Sequence, residues 1–174
     1  SFGGGRFSEM PLEEFRIGEP RLRNNEAVHF ILNYFLSKNG RTFRAESFYK
    51  DYSKLLTFEG QRFQYQNIAQ NGQGYARGFD VFFRDQKTFK STDYWITYSF
   101  IDSKRQFAGF QSMVQPGFAP RHNASIVIKH FITALKSQAG ISYVINDGFS
   151  YTNPNLPGEM NSRTRGFQDL SLGW

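Results

Sequence analysis

The sequence predicts an all-β fold, an antiparallel transmembrane β-barrel with about eight strands in this chain. Three observations predict it. Apolar and polar residues alternate over long runs, long loops alternate with short turns between these runs, and aromatic residues make up 18% of the chain. This aromatic share exceeds what a water-soluble core requires. The alternation therefore raises the question of whether the apolar side of the strands meets protein or lipid.

One hairpin carries the clearest alternation. Segment 79–84 reads FDVFFR and segment 94–100 reads YWITYSF, so each run has two unlike faces. An antiparallel register that joins like faces pairs Phe79 with Tyr98, Val81 with Ile96 and Phe83 with Tyr94. The same register places Arg84 opposite Asp93 on the other face. We therefore predict a long hairpin with one apolar face.

The beginning of the chain is predicted to be the end of a strand followed by a long loop. Residues 1–7 look like the end of a strand, and segment 8–25 then carries Pro11 and Pro20 among several charges. The chain has neither an initial Met nor a charged and apolar leader. We therefore expect a processed or partial chain.

The first complete hairpin is predicted by its turn chemistry. Apolar and polar residues alternate over 28–36, and Asn39-Gly40 follows, which is the strongest short-range hairpin signal. A two-residue turn centred there sets one register for both strands. That register pairs Leu36 with Phe43, Tyr34 with Ala45 and Phe30 with Tyr49 on one face, and Asn33 with Glu46 and His29 with Lys50 on the other.

The remaining elements follow the same scheme of strands, long loops and short turns. They are, in chain order, a polar loop at 57–71, the hairpin described above, a loop at 105–121, a strand at 126–134, a short turn near Ser137-Gln138, a strand at 141–145, a loop at 148–165 and a strand at 170–174. His130 fits this scheme poorly, because it shares a face with Ile126 and Ile128. A bulge, a different register or a position outside the bilayer would each explain it.

Loop length discriminates between two architectures. Four connections of roughly fifteen to eighteen residues argue against a compact soluble domain. An outer-membrane barrel, by contrast, combines long loops at one end with tight turns at the other. The sequence therefore favours the membrane barrel, with a soluble β-sandwich or ligand-binding barrel as the alternative.

Composition narrows the classes of function. The chain has no cysteine, which excludes a disulfide framework and a thiolate metal site. Mean hydropathy is −0.54, and no run approaches the ~18 apolar residues of a membrane helix. The net charge of +6 suits an anionic partner such as nucleic acid or lipopolysaccharide. Nucleic acid is not expected, because several basic residues lie beside acidic ones on the predicted polar faces.

The histidines do not predict a reactive site. His29, His122 and His130 have no metal-ligand spacing. His122 and Ser125 lie near one strand end, which is a weak signal for a catalytic pair. We therefore predict no catalytic residue, no cofactor and no metal, and the chain is not expected to be an enzyme.

The strand faces divide the candidate functional residues into three groups. Lipid-facing residues are predicted to be Phe30, Leu32, Tyr34, Phe79, Val81, Phe83, Tyr94, Ile96, Tyr98, Phe100, Ile141 and Tyr143. Lumen-facing residues are predicted to be Asn33, Arg44, Glu46, Asp80, Arg84, Asp93, Thr97 and Lys129. Candidate ligand-binding residues in the loops are Phe63, Tyr65, Phe107, Phe110 and Phe118. Loops on a rigid scaffold commonly carry recognition.

Several segments resemble one known family. They are GYARGFDVFFRD at 74–85, DYWITYSF at 93–100, SFYKDY at 47–52, FAPRH at 118–122 and YTNPN at 151–155. These segments resemble the C-terminal barrel portion of TonB-dependent outer-membrane receptors, particularly the Bacteroidetes type, and they follow one another along the chain in the order of that family. The resemblance covers nearly the whole chain, and residues 1–174 are expected to form one barrel segment without a plug domain.

The resemblance implies a transport function. Such receptors have a barrel of about 22 strands filled by a plug domain, and neither the plug nor the TonB-contacting motif is visible in this sequence. The implied function is uptake of a large nutrient such as a ferric siderophore, peptide, glycan or vitamin across the bacterial outer membrane. The implied partners are the lipid bilayer and lipopolysaccharide, the TonB system through other parts of the receptor, and a surface lipoprotein or larger envelope complex.

A second membrane architecture stays open. Leu170, Leu172 and Trp174 resemble the C-terminal assembly signal of outer-membrane barrels. They are therefore compatible with a self-contained eight-stranded barrel that acts as a surface binding or assembly-partner protein. We favour the segment of a larger barrel, because 1–7 and 167–174 are shorter than the other strands.

Overall fold

A computed structural model of the chain describes residues 2–9, 24–59, 67–106, 110 and 112–174. Within these ranges every regular element is a strand. No helix in the described part of the chain is long and apolar enough to cross a membrane. The predicted all-β class is confirmed.

Eight strands form one antiparallel sheet, in the order β1-β2-β3-β4-β5-β6-β7-β10. They are β1 (Phe2–Glu9), β2 (Asn25–Lys38), β3 (Arg41–Glu59), β4 (Asn67–Asp85), β5 (Thr92–Arg105), β6 (His122–Ile132), β7 (Ser137–Asn146) and β10 (Phe167–Gly173). A separate small sheet joins β8 (Ser150–Tyr151) to β9 (Ser162–Arg163). The large sheet is open, with β1 and β10 at its two edges.

The β2–β3 hairpin has the predicted turn and the predicted register. Asn39 and Gly40 have φ values of 52° and 73°, as a two-residue type I′ turn requires. Every residue pair predicted for this hairpin is present, and the ladder continues without interruption from Lys38↔Arg41 to Glu26↔Ser53. The Asn-Gly pair therefore sets the register of both strands.

The predicted register of the β4–β5 hairpin is wrong by two residues. Phe79 pairs with Phe100 instead of Tyr98. The cause is Asp85, whose carboxylate accepts hydrogen bonds from the backbone nitrogens of Lys87 at 2.7 Å and Thr88 at 2.9 Å. Asp85 is therefore the last paired residue of β4, in place of the predicted Arg84. The turn begins one residue later than predicted and has the predicted length, so it also ends one residue later. The pairing of the two strands then shifts by two.

This shift leaves the two faces of the hairpin as predicted, because an even shift keeps each side chain on its own face. Arg84 and Asp93, predicted to lie directly opposite, are diagonal neighbours. They still form an ion pair, with 2.9 Å between Arg84 Nε and Asp93 Oδ1. Diagonal pairs across a ladder are within reach of long side chains.

The last short turn lies earlier than predicted. It spans 133–136 and closes with Lys136 at a φ of 48°. The predicted turn residues Ser137-Gln138 belong to β7 and pair with β6. Lys136 closes this four-residue turn in the left-handed region. Lysine is not a residue type that predicts this conformation from the sequence.

Two of the four long loops have the predicted bounds. These are the third loop (106–121) and the fourth loop (147–166), although the fourth loop contains the small β8–β9 sheet. Of the predicted loop 57–71, residues 57–59 and 67–71 are strand, and residues 60–66 lie outside the described part of the chain. Thr57 Oγ1 donates to Asn71 Oδ1 at 2.5 Å across the β3–β4 pair, so these polar residues satisfy each other within a ladder. Of the predicted loop 8–25, segment 10–23 lies outside the described residues.

His130 lies on the apolar face at the turn end of its strand. The β5–β6 ladder runs without a register shift from Phe100↔His122 to Thr92↔His130. His130 therefore lies at the last rung, beside the short turns. Its Nδ1 is 2.8 Å from Thr92 Oγ1.

Substitution of Gly40 tests the turn that sets the first register. Gly40→Ala is expected to lower the free energy of unfolding by about 1 kcal/mol, because an L-residue is strained at positive φ. Equilibrium urea unfolding of the folded protein measures the change. The matched control is Gly173→Ala, since an added Cβ there meets no neighbouring atom and no positive φ is involved. Equal effects of the two substitutions would contradict the assigned turn.

Candidate functional site

The apolar face of the sheet is a continuous band across the strands. Residues paired in a ladder lie on the same face, so the registers of six neighbouring pairs define its rows. Three successive rows are Tyr34–Ala45–Val81–Tyr98–Ala124–Ile145, Leu36–Phe43–Phe83–Ile96–Ile126–Tyr143–Leu170 and Asp85–Tyr94–Ile128–Ile141–Leu172. All the residues predicted to face lipid share this face.

Aromatic rings pack along this face, and none of the described residues covers it. The Phe79 ring lies 5.7 Å from the rings of both Tyr98 and Phe100. Phe79 nevertheless remains 42% exposed and Ile96 43% exposed. Among the described residues, the buried apolar side chains are Ala76, Val114 and Pro116, none of which lies in these rows. The apolar face therefore has no protein core against it within the described part of the chain.

The opposite face carries mixed charge. All the residues predicted to face a lumen lie there, in rows such as Asn33–Glu46–Asp80–Ser99–Asn123. Asn33 Nδ2 donates to Glu46 Oε2 at 3.0 Å. Thr97 Oγ1 and Ser125 Oγ are 2.6 Å apart and share a hydrogen bond. Polar side chains on this face therefore satisfy one another in pairs across neighbouring strands.

Aromatic residues on the polar face form contacts that the sequence analysis missed. Lys129 Nζ lies 5.3 Å from the centre of the Trp95 ring, and Arg84 Cζ lies 5.9 Å from the same ring. Arg44 stacks in the same way over Phe82, at 5.9 Å. Such cation–π contacts let rings lie on a polar face. The sequence contains a signal for these contacts, because along each strand the rings occupy the same alternate positions as the charged residues and therefore share their face.

Asp147 joins chain segments at the loop end of the sheet, which is the end that carries the third and fourth loops. Its carboxylate accepts a hydrogen bond from the backbone nitrogen of His122 at 3.1 Å and forms an ion pair with Arg163. Burial alone would raise the pKa of the Asp147 carboxyl. The hydrogen bond from His122 and the charge of Arg163 outweigh burial, so the pKa of Asp147 lies below its ordinary value.

Gln115 joins the third loop to the fourth loop. Its side-chain oxygen accepts hydrogen bonds from Arg121 Nε at 3.1 Å and from Arg163 Nη2 at 3.3 Å. Gly117 makes the close approach of the loops possible, because a Cβ there would lie 2.8 Å from the backbone oxygen of Ser150. The two loops therefore form one packed unit above the sheet.

Asn161 organises the tip of the fourth loop. Its side-chain nitrogen donates to the backbone oxygens of Gly158 at 2.8 Å and Leu156 at 2.9 Å. Its side-chain oxygen accepts from the backbone nitrogen of Asn153 at 2.8 Å. One partly buried amide thereby replaces the backbone pairing that a regular hairpin would supply.

The candidate ligand-binding residues have different outcomes. Phe63, Tyr65 and Phe107 lie outside the described residues. Phe110 is partly exposed, and Phe118 is 70% exposed at the tip of the third loop. Their role in ligand binding stays a prediction.

The histidines are placed apart from one another and from Ser125. His122 Nδ1 is 2.8 Å from the Tyr98 hydroxyl on the apolar face, whereas Ser125 bonds Thr97 on the polar face. In the part of the chain that the structure describes, no group of three or more His, Asp and Glu residues can hold a metal ion. The weak Ser-His pairing considered from the sequence does not form.

Comparisons with known proteins supply no family. No protein-family model matches this chain, and no curated protein matches it significantly. The inference about function therefore depends on the two faces of the sheet and on its loops.

The Asp147 contacts predict a measurable loosening of the fourth loop. Asp147→Asn keeps an acceptor for His122 but removes the ion pair, and we expect amide hydrogen exchange at Thr164 to accelerate roughly tenfold. Since the pKa of Asp147 is lowered in the folded state, this stabilisation is present above about pH 4 and is lost as the pH falls through the folded pKa.

Asp169→Asn is the matched control, because the exposed Asp169 accepts a hydrogen bond from the neighbouring Ser171 on the edge strand instead of joining loops. It should leave exchange at Thr164 unchanged. Unaltered exchange in Asp147→Asn would contradict the assigned role of Asp147.

Proposed function

We propose that this chain is a wall segment of an outer-membrane β-barrel and that the barrel belongs to a TonB-dependent receptor. In this proposal the apolar face contacts lipid, the polar face lines a water-filled interior, and the long loops face the cell exterior. The receptor takes up a nutrient too large for porins. The observation that carries the proposal is the uncovered apolar band opposite a hydrogen-bonded polar face.

The dimensions of the apolar band support contact with lipid. On β5 it extends from Tyr94 to Phe100, which is ~20 Å along the strand at ~3.4 Å per residue. A barrel strand tilted by about 40° would give this stretch a height of about 15 Å, which fits within the hydrocarbon layer. The lipid-facing band of an outer-membrane barrel is about 25 Å tall. Alternating apolar-out and polar-in residues are the pattern of such barrels, and the exposed fractions of Phe79 and Ile96 fit lipid as the missing neighbour.

Strand length and connection length support the same assignment. β3 and β4 have 19 residues each, whereas strands of soluble proteins usually have about 5–6. The short connections at 39–40, 86–91 and 133–136 lie at one end of the sheet, and the third and fourth loops lie at the other. Outer-membrane barrels combine short periplasmic turns with long extracellular loops.

The open edges favour a larger barrel. Backbone groups inside a bilayer must be hydrogen-bonded within the protein, so a spanning sheet has no free edge. β1 and β10 are the edges of this sheet, and further strands of a larger receptor would pair with them. Direct pairing of β1 with β10 would instead give the self-contained eight-stranded barrel, which is the alternative.

The polar face and the loops support a transport function within that barrel. A face that mixes Glu46 and Asp80 with Arg44 and Lys129 suits a wet interior, where charges remain hydrated. The packed third and fourth loops provide a rigid platform for capture of a nutrient at the surface. Uptake through a plugged barrel would draw its energy from the inner membrane through TonB.

Arginine substitution on the two faces tests the lipid assignment. Ile96→Arg is expected to destabilise the protein in bilayers by about 2–4 kcal/mol, because a charge on the lipid face must be buried in hydrocarbon. Ser99→Arg, three residues away on the polar face beside Asp80, should cost little. Urea unfolding in lipid vesicles measures both variants. Equal costs on the two faces would contradict the assignment.

A growth experiment tests the transport function. Cells that lack the protein should lose high-affinity uptake of one nutrient from a panel of ferric siderophores, peptides, glycans and vitamins. The same loss should follow deletion of TonB or collapse of the proton gradient. Uptake of every nutrient at the wild-type rate would contradict the transport proposal without affecting the membrane assignment.

A further inference from the structure

The end of the sheet formed by its short turns is rich in basic residues. We call this region the turn end; it comprises 37–42, 85–92 and 130–137. Its lysine and arginine side chains are Lys38, Arg41, Lys87, Lys90 and Lys136, all exposed. Its single carboxylate belongs to Asp85, which is buried and paired with Arg41 at 2.8 Å.

The three turns of this region form one continuous surface. The backbone nitrogen of Gln86 donates to Gly40 O at 3.0 Å, which joins the first turn to the second. The backbone nitrogen of Phe131 donates to Ser91 O at 2.8 Å, which joins the second to the third. With neighbouring strands ~4.8 Å apart, the basic residues of six strands lie within about 25 Å.

The four lysines of the turn end carry uncompensated positive charge in the described part of the chain. Among the described residues, none of Lys38, Lys87, Lys90 and Lys136 forms an ion pair. The loop end differs, because its ion pairs are Arg77–Asp102, Lys54–Glu26 and Arg163–Asp147. The surplus positive charge of the sheet is therefore concentrated at the turn end.

Exposed apolar side chains accompany these lysines. Phe89 is 58% exposed within the second turn, and its ring lies 6.0 Å from that of Tyr94. Tyr94 belongs to the last row of the apolar face, so Phe89 extends that face into the turn. Lys38 continues the same face beyond Leu36 on β2. Basic and aromatic residues at the border of an apolar band are typical of a membrane interface.

We infer that the turn end binds the anionic headgroups of phospholipids in the leaflet next to it. This inference rests on the proposed membrane location, and it adds a lipid preference that the location alone does not require. The clustered lysines supply charge for phosphate groups, and Phe89 and the apolar face hold the acyl chains of the same lipids. An acidic soluble protein would match the charge but would leave Phe89 and the adjoining apolar band exposed to water.

Competition between lipids tests this inference. The purified protein is placed in phosphatidylcholine vesicles, and spin-labelled phosphatidylglycerol and spin-labelled phosphatidylcholine are compared for contact with it. The wild-type protein should prefer phosphatidylglycerol, and added salt should weaken the preference. Each of Lys38→Gln, Lys87→Gln and Lys90→Gln should lower the preference several-fold, up to about fivefold.

Lys104→Gln is the matched control, because Lys104 is an exposed strand residue towards the loop end. It should keep the wild-type preference. A protein that enters the vesicles without preferring phosphatidylglycerol, or whose preference survives the turn-end substitutions, would overturn the lipid inference alone. Failure to enter the phosphatidylcholine vesicles would overturn the membrane proposal and this inference with it.

Discussion

Backbone pairing that runs uninterrupted across the apolar band is the constraint on which the rest of this structure depends; the β3–β4 ladder shifts register only beyond the band, between Tyr52 and Thr57. Each ladder keeps one register through the band, so residues two apart along every strand reach the same side of the sheet. A slip of one residue in any strand would move its aromatic residues among the charges of the polar face. The unlike faces are thus a consequence of register. Asn39-Gly40 sets that register in one hairpin and the Asp85 carboxylate sets it in the next.

The two ends of the sheet use different physical means to stay ordered. At the turn end, backbone hydrogen bonds and the Asp85 carboxylate close short connections. At the loop end, the long connections are held by side chains that satisfy several partners at once, namely Gln115, Asp147 and Asn161. A long loop that is internally hydrogen-bonded loses less entropy when it meets a ligand. This arrangement suits a rigid recognition platform.

The sequence predicted the faces better than it predicted the turns. The alternation of apolar and polar residues assigns side chains to faces without reference to register. The assignment of residues to the two faces is therefore correct in β4–β5, although the predicted pairing is wrong by two residues. The register itself depended on a carboxylate bonding two backbone amides, and the last turn on Lys136 adopting a left-handed conformation. Neither has a signal as strong as Asn-Gly. Residues 57–59 and 67–71, predicted to be loop, are strand, because polarity does not exclude a ladder between hydrogen-bonding partners such as Thr57 and Asn71.

The central claim is that the apolar face meets hydrocarbon, and a nitroxide spin label tests it most directly. The chain contains no cysteine, so Ile96→Cys and Ser99→Cys each provide a unique attachment point on opposite faces of β5. In vesicles, the label at residue 96 should be relaxed by oxygen dissolved in the bilayer, and the label at residue 99 by a water-soluble nickel complex. Equal access of both labels to the nickel complex, or exclusion of oxygen from residue 96, would contradict the account.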